Sequence, residues 1–224
     1  MKNVLPTVAG AALALCCAVS GASATTPTQI AYDIFDGDKP VGHLDVTLTA
    51  NGNDLVVAQR AEITLRRMML TAKVHQSVDE HWQGERLLTL RADTTSELAV
   101  ASARKTLSVV RDAAGTLRAT AGKTTRDLPA DALPLTTWSA RTLVPGPHFE
   151  LGDATMSAIT VSSSTEPAES VRYLDDECRR SIFESDNGSK RSVITAWIGR
   201  DEIVCKLRIR SGDDVLTYTR RASP

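Results

Sequence analysis

Apolar and polar side chains alternate along most of the chain, and the longest such stretch runs from Met68 to Thr95. A turn at Gln83-Gly84 separates two arms of this stretch, and the second arm alternates again over residues 88–93. A period of two is typical of a strand with one buried face. The stretch therefore predicts a β-hairpin. In its first arm the even-numbered positions are mostly apolar, and we call such a set of alternate positions the apolar parity of a strand. Its apolar members here are Met68, Leu70, Ala72, Val74, Val78 and Trp82.

The same alternation recurs before and after this hairpin. Residues 30–34, 44–50 and 55–65 alternate between turn-forming clusters, which predicts a five-stranded antiparallel meander together with the hairpin. The register of such strands is well specified, because a slip of one residue would expose the whole apolar face. A second meander of four strands is predicted at residues 178–185, 191–198, 203–210 and 215–220.

The alternation breaks at residues 128–147, which contain four prolines. Leu135, Trp138 and Thr142 share one face at helical spacing after Pro134, so a short helix is predicted at residues 135–143. The predicted fold is mainly β: a large curved antiparallel sheet or open β-barrel of about ten strands, with one short helix on the concave face.

The first residues are typical of a cleaved export signal. Lys2 is followed by an apolar run at residues 8–19 and by small residues at Ala22-Ser23-Ala24. We therefore expect residues 1–24 to be a signal peptide and residues 25–224 to be a single antiparallel β domain in the periplasm. No later stretch is apolar and long enough to be a transmembrane segment.

Charge and cysteine content narrow the picture further. The formal net charge of −1 becomes −2 once Lys2 is removed, which argues against nucleic acid as a partner. Cys178 and Cys205 are candidates for a disulfide, since an oxidising compartment favours one. The alternative is that Cys205 is a small core residue, because it alternates with Ile203 and Leu207.

The sequence contains no nucleophile elbow, phosphate-binding glycine loop or dinucleotide fingerprint. His75 and His81 lie on one polar face of a strand, but six residues span roughly 20 Å, so they cannot bind one ion. We predict no catalytic residue, no metal site and no cofactor.

One carboxylate occupies an unusual position. Glu80 lies on the apolar parity of its strand, between Val78 and Trp82, so it needs a partner such as an arginine or backbone N–H groups, or its pKa should rise. Two interpretations follow: an acid that contacts a ligand in a cavity, or a structural carboxylate with a buried partner. The candidate ligand-binding residues are Glu80, Trp82, Trp138 and Trp197.

Several short motifs stand out along the chain: Tyr32-Asp33-Ile34, Lys39-Pro40-Val41-Gly42, the octapeptide at residues 80–87, Leu133-Pro134 with Trp138, and the hairpins around Trp197. Together they resemble the motifs of an uncharacterised family of exported proteobacterial proteins. The chain departs from the family pattern at Ile198-Gly199-Arg200-Asp201. The family is distantly similar to periplasmic lipoprotein-carrier-type β-sheet proteins, which implies a curved antiparallel sheet but no assigned activity.

Three functions remain open from the sequence. The leading hypothesis is a non-enzymatic periplasmic protein that binds a lipid or another amphiphile on the concave face of its sheet. The second is an envelope scaffold that binds other envelope proteins through a sheet edge. The third is an enzyme with an unrecognised site near Glu80, His81 and Trp82.

Overall fold

The computed structural model describes residues 26–67, 70–98, 101–161, 170–173 and 176–222. The predicted signal peptide lies outside these residues. The first half of the described chain is an antiparallel meander of long strands joined by short turns. Its strands are β1 (Thr28–Asp36), β2 (Lys39–Asn51), β3 (Asp54–Arg67), β4 (Leu70–Gln83), β5 (Arg86–Leu98), β6 (Ala101–Arg111), β7 (Leu117–Ala121) and β8 (Thr124–Leu128).

The chain then crosses to the second half through residues 129–155, which we call the crossing segment. It contains two short strands, β9 (Leu133–Pro134) and β10 (Gly146–Phe149), and one turn of 3-10 helix at Ala140–Thr142. The remaining strands are β11 (Met156–Val161), β12 (Ser170–Tyr173), β13 (Asp176–Asp186), β14 (Arg191–Ile198), β15 (Val204–Ser211) and β16 (Asp214–Arg220).

All sixteen strands of the described residues belong to one sheet. Fifteen follow the order β8-β7-β6-β5-β4-β3-β2-β1-β16-β15-β14-β13-β11-β10-β9, and β12 pairs with β13 beside this order. The two halves join where β1 pairs antiparallel with β16. Among the described residues β8 and β9 do not pair with each other, so the sheet is unclosed.

The alternating residues of the strands form the core. On β1, Ile30, Tyr32 and Ile34 are at most 4% exposed. One core cluster packs β1 to β7 against Trp138 and Phe149 of the crossing segment. A second cluster packs β13 to β15 against Leu143 of the same segment. The crossing segment therefore covers the concave face of both halves.

Glycine at residue 42 is fixed by close packing between strands. A Cβ atom at Gly42 would lie 1.9 Å from the carbonyl oxygen of Glu62 on β3. Every other amino acid would push β2 and β3 apart, so the glycine of the Lys39-Pro40-Val41-Gly42 motif is explained by the backbone.

The prediction of a mainly β fold is confirmed, and two of its details are wrong. The described residues form sixteen strands rather than about ten. Three of the additional strands, β8, β9 and β10, are short, and β9 and β10 contain Pro134 and Pro147, so they lack an alternating pattern.

The predicted helix at residues 135–143 is also wrong, since only Ala140–Thr142 is helical, as one 3-10 turn. The backbone of this region instead bonds to strand ends, with Ala140 N–H donating to Glu202 O and Val204 N–H donating to Trp138 O. Within the described ranges, no helix has the length and apolar character needed to cross a membrane.

Candidate functional site

A partly open cavity of about 430 Å³ lies between the concave face of the sheet and the crossing segment. One wall is the inner face of β3 and β4, and the opposite wall comes from β14 and β15. Residues 135–137 and 150–152 of the crossing segment close a third side. The apolar side chains of the two facing walls are Ala61, Ile63, Val74, Ile194, Leu207 and Ile209.

Polar groups converge on this apolar space. Gln59, Gln76, Thr136 and Tyr218 line the cavity. The Thr136 hydroxyl is buried and has no hydrogen-bond partner among the described residues. Burial raises the pKa of Tyr218, whose side chain also lines the cavity. Both hydroxyls are therefore placed to bond to a molecule in the cavity.

The outer rim of the cavity carries charge. Glu150 accepts a hydrogen bond from Asn187 Nδ2 at 2.8 Å, and both residues line the cavity. Lys190 lies in the same turn between β13 and β14, exposed and without an ion-pair partner among the described residues. The rim is thus polar while the walls below it are apolar.

Glu80 lies behind the cavity wall and is 1% exposed. Its Oε1 accepts a hydrogen bond from Gln59 Nε2 at 2.6 Å, and its Oε2 accepts one from Trp82 Nε1 at 2.6 Å. Since Gln59 also lines the cavity, it connects the carboxylate to the cavity wall. The partner is an amide and an indole rather than the arginine or backbone N–H groups expected.

Burial raises the pKa of Glu80 to about 7, because desolvation disfavours the charged carboxylate. Hydrogen bonds from Trp82 and Gln59 act in the opposite direction, as do Trp138 and Thr136. Neither the Trp138 indole N–H nor the Thr136 hydroxyl, which also act on the pKa of Glu80, completes a hydrogen bond of full geometry to a described residue. The environment of Glu80 is therefore a ring of neutral donors in a buried part of the protein.

This ring joins the crossing segment to the sheet. Trp138 and Thr136 come from the crossing segment, whereas Glu80 and Trp82 come from β4. The guanidinium of Arg141 stacks over the Trp82 ring at 5.5 Å and donates to the carbonyl of Gly84 at 2.8 Å. The position of the cavity's third wall thus depends in part on contacts to β4 and to the turn that follows it.

Trp197 is separate from the other three candidates. It alternates on β14 with Ala196, which is in the core, so its ring lies on the opposite face of the sheet. There it packs on Cys178 and Cys205, which are joined by a disulfide, and Lys206 stacks over its ring at 5.2 Å. None of the four candidates belongs to the cavity wall.

The histidines also lie apart from one another. His81 is on the outer face of β4, with Nε2 3.3 Å from Asp54 Oδ1, so it faces away from Glu80. His148 is fully buried in the crossing segment. Its two ring nitrogens lie 3.1 and 3.0 Å from the carbonyl oxygens of Gly146 and Thr142, and burial lowers its pKa. Its role is to hold the crossing segment together.

Sequence reasoning missed the residues that line the cavity. Gln59 and Gln76 gave the same signal as Glu80, because each is a polar residue on the apolar parity of its strand. Tyr218 and Thr136 gave no such signal, since their position depends on pairing between the two halves and on the path of the crossing segment.

The fold and the cavity define a class: mainly β proteins built from one large unclosed sheet that wraps around a covering segment. Within that class, the chain belongs to the family described as Domain of unknown function (DUF6134), whose model matches residues 32–221. The expected membership of an uncharacterised family of β proteins is thereby confirmed.

One solved structure supports the same fold. It is described as the crystal structure of a beta-barrel-like protein of Domain of Unknown Function DUF1849 from Brucella abortus. The two structures agree with a TM-score of 0.61 over 88% of this chain and 96% of that chain, at 9% sequence identity. No curated protein matches the chain.

Proposed function

We propose that the protein is a non-enzymatic, exported protein that binds a lipid or a similar single-headed amphiphile in the cavity between its sheet and the crossing segment. The observation that supports this most directly is the cavity itself. It has about 430 Å³ of space, two facing apolar walls and a polar rim. That size falls within the range usual for small-molecule sites.

The walls suit an acyl chain. Ile63 and Val74 on one side face Ile194 and Ile209 on the other, and all four belong to strands whose pairing fixes their direction. Transfer of an apolar chain from water into such a space is favourable by roughly 25 cal/mol per Å² of buried apolar surface.

The polar groups suit a hydrogen-bonding head. The Thr136 hydroxyl lines the cavity beside Glu80 and makes no hydrogen bond of full geometry among the described residues, and a buried polar group without a partner costs roughly 1 to 3 kcal/mol. A ligand head that bonds to Thr136 would recover that cost, and Tyr218 offers a second hydroxyl on the cavity wall. Lys190 at the rim adds a positive charge within the same opening.

The proposed location is the periplasm. The signal-like residues 1–24 and the disulfide between Cys178 and Cys205 support it, because disulfides persist in oxidising compartments.

Strand addition to a partner protein has less support. The edge strand β8 has only five residues and carries Arg126 and Asp127, and charged, short edges oppose further pairing.

A binding experiment with palmitate tests the proposal. Ile63→Trp places a large ring in the cavity wall, and we expect the Kd for palmitate to rise by about tenfold or more. Val56→Trp is the matched control, because Val56 is on the same strand but 46% exposed on the outer face. It should leave the Kd unchanged. Both affinities are measured by isothermal titration calorimetry.

Circular dichroism of each variant verifies that it is folded. If Ile63→Trp does not fold, Ala61→Leu fills the same wall with a smaller addition and takes its place. Equal palmitate affinity in the wild type, the wall variant and Val56→Trp would contradict the proposal, as would no binding to the wild type.

A further inference from the structure

The inner faces of β3 to β6 extend beyond the cavity. Along β4 the inner parity runs from Glu80 through Gln76 and Val74, which line the cavity, to Ala72 and Leu70. The register continues this face onto the neighbouring strands, since Leu65 of β3 and Leu98 of β5 both pair with Ala72. We call Leu65, Leu70, Ala72 and Leu98 the apolar ramp.

The end of the ramp at Leu70 and Leu98 is exposed, whereas Leu65 and Ala72 are partly buried. Leu70 is 60% exposed and Leu98 is 49% exposed, although both occupy the parity that is buried further along the same strands. On β6 the inner positions Ala101 and Ala103 are exposed as well. The crossing segment approaches β6 at Lys105, whose side chain would lie 3.4 Å from a Cβ atom on Gly152 and whose Nζ lies 3.8 Å from Asp153 Oδ2.

The ramp is continuous with the cavity on one side only. Ile63 and Val74 line the cavity, pair with each other, and are followed on the same face by Leu65 and Ala72. On β5 and β6 the inner face is instead interrupted by Thr94, Ser96 and Lys105. An apolar path therefore leads from the cavity along β3 and β4 to Leu70 and Leu98. From Val74 to Leu70 it covers roughly 13 Å, at about 3.3 Å per residue.

We propose that the apolar ramp is a second part of the binding site, which takes the distal end of a long acyl chain whose first part occupies the cavity. This inference rests on the proposed function. It adds that the ligand is a long-chain amphiphile, because a short chain would end inside the cavity and leave the ramp exposed. The continuity of one apolar face from the cavity wall to the ramp selects an acyl chain as the occupant.

Chain length separates the two parts of the site. Octanoate and palmitate are titrated into the wild type and into a Leu70→Gln/Leu98→Gln variant, which makes the ramp polar and leaves the cavity wall intact. We expect palmitate to bind the variant roughly tenfold more weakly, since each leucine loses part of its apolar burial, and octanoate to bind both proteins equally. Both substitutions are at exposed positions, so the variant should fold.

Val110→Gln is the matched control. Val110 is 48% exposed on β6, on the outward parity between the core residue Val109 and Arg111. This variant should bind both fatty acids like the wild type. If it weakened palmitate binding as much as the double variant does, the effect would come from general surface polarity and the inference would be overturned.

Two further outcomes overturn the inference about the ramp without refuting the proposed function. If palmitate binds the wild type and the ramp variant equally, the cavity holds the ligand and the ramp does not. If the wild type sediments as a dimer that the ramp variant converts to a monomer, the ramp is an interface between two copies of the chain. If neither palmitate nor octanoate binds the wild type, the proposed function itself is refuted.

Discussion

At the scale of single residues, Glu80 is the most unusual group of the protein. It is a carboxyl at 1% exposure, surrounded by the side-chain donors of Gln59, Trp82, Trp138 and Thr136. The donors favour its ionised form, whereas burial favours its neutral form, and burial prevails. This balance makes folding depend on pH.

The direction follows from the two pKa values. In the folded protein Glu80 keeps its proton up to a pH of about 7, while in the unfolded chain it loses the proton above about 4.5. Folding therefore takes up a proton between these values, and the free energy of unfolding falls as the pH rises from about 4.5 to about 7. The difference corresponds to roughly 3 kcal/mol.

Glu80→Gln should remove this contribution. Urea denaturation at pH 4.5 and pH 8 measures it, and we expect the variant to gain roughly 3 kcal/mol relative to the wild type on going to the higher pH. His148 has a lowered pKa and acts in the opposite direction, but it is present in both proteins and cancels in the comparison. Parallel pH profiles of the two proteins would contradict the account.

The burial of Glu80 could be predicted from its parity on the strand, but its partners could not. Gln59 is twenty-one positions away and meets Glu80 because β3 and β4 pair in a register that places Val57 opposite Glu80. Trp138 arrives through the crossing segment. Partners that depend on tertiary pairing leave no local signal.

At the scale of elements, the crossing segment determines the third wall of the cavity. It contains little regular structure, and its position is fixed by bonds to other elements, such as Ala140 N–H to Glu202 O and Thr142 Oγ1 to Thr136 O. Trp138 packs from this segment into the first core cluster. The indole of Trp138 is therefore a major contact between the segment and the sheet.

Trp138→Phe tests that role. It keeps an aromatic ring in the core but removes the N–H near Glu80, so we expect a loss of about 1 to 3 kcal/mol in stability. We also expect faster hydrogen exchange at the amides of Ala140 and Leu143, and a further rise in the pKa of Glu80. Native-state hydrogen exchange measures the opening of the segment.

Trp197→Phe is the control of the same kind. Trp197 packs on the disulfide at the outer face, and its indole N–H has no hydrogen-bond partner among the described residues. The Trp197→Phe variant should leave amide hydrogen exchange in the crossing segment unchanged. Equal exchange in the two variants would show that Trp138 does not hold the segment.

The elements differ in how well the sequence predicts them. The long strands are predicted because alternation is a local property, as in Ile30, Tyr32 and Ile34 of β1. The helix prediction failed because Trp138 and Thr142, which are buried, and Leu135, which is partly buried, take helical spacing on a largely extended chain that crosses the interior. Burial of that chain, rather than its own hydrogen bonds, produced the pattern.

At the scale of the whole molecule, the cavity exists because two meanders share one sheet. Pairing of β1 with β16 brings Ile63 and Val74 of the first half into a common space with Ile194 and Ile209 of the second. The Tyr32 hydroxyl strengthens this junction by donating to the carbonyl of Val204 at 2.8 Å. The pairing joins residues nearly two hundred positions apart, so it could not be derived from periodicity.

The central claim is that the cavity holds an amphiphile in the cell. Native mass spectrometry of protein purified from its own envelope fraction tests it most directly, with the Ile63→Trp variant prepared in parallel. The account predicts that the wild type carries the additional mass of an acyl-chain lipid and that this bound mass is strongly reduced on the variant. Organic extraction of the wild-type protein should release the lipid. A wild-type protein with the mass of the polypeptide alone would contradict the claim, as would the same bound mass on both proteins.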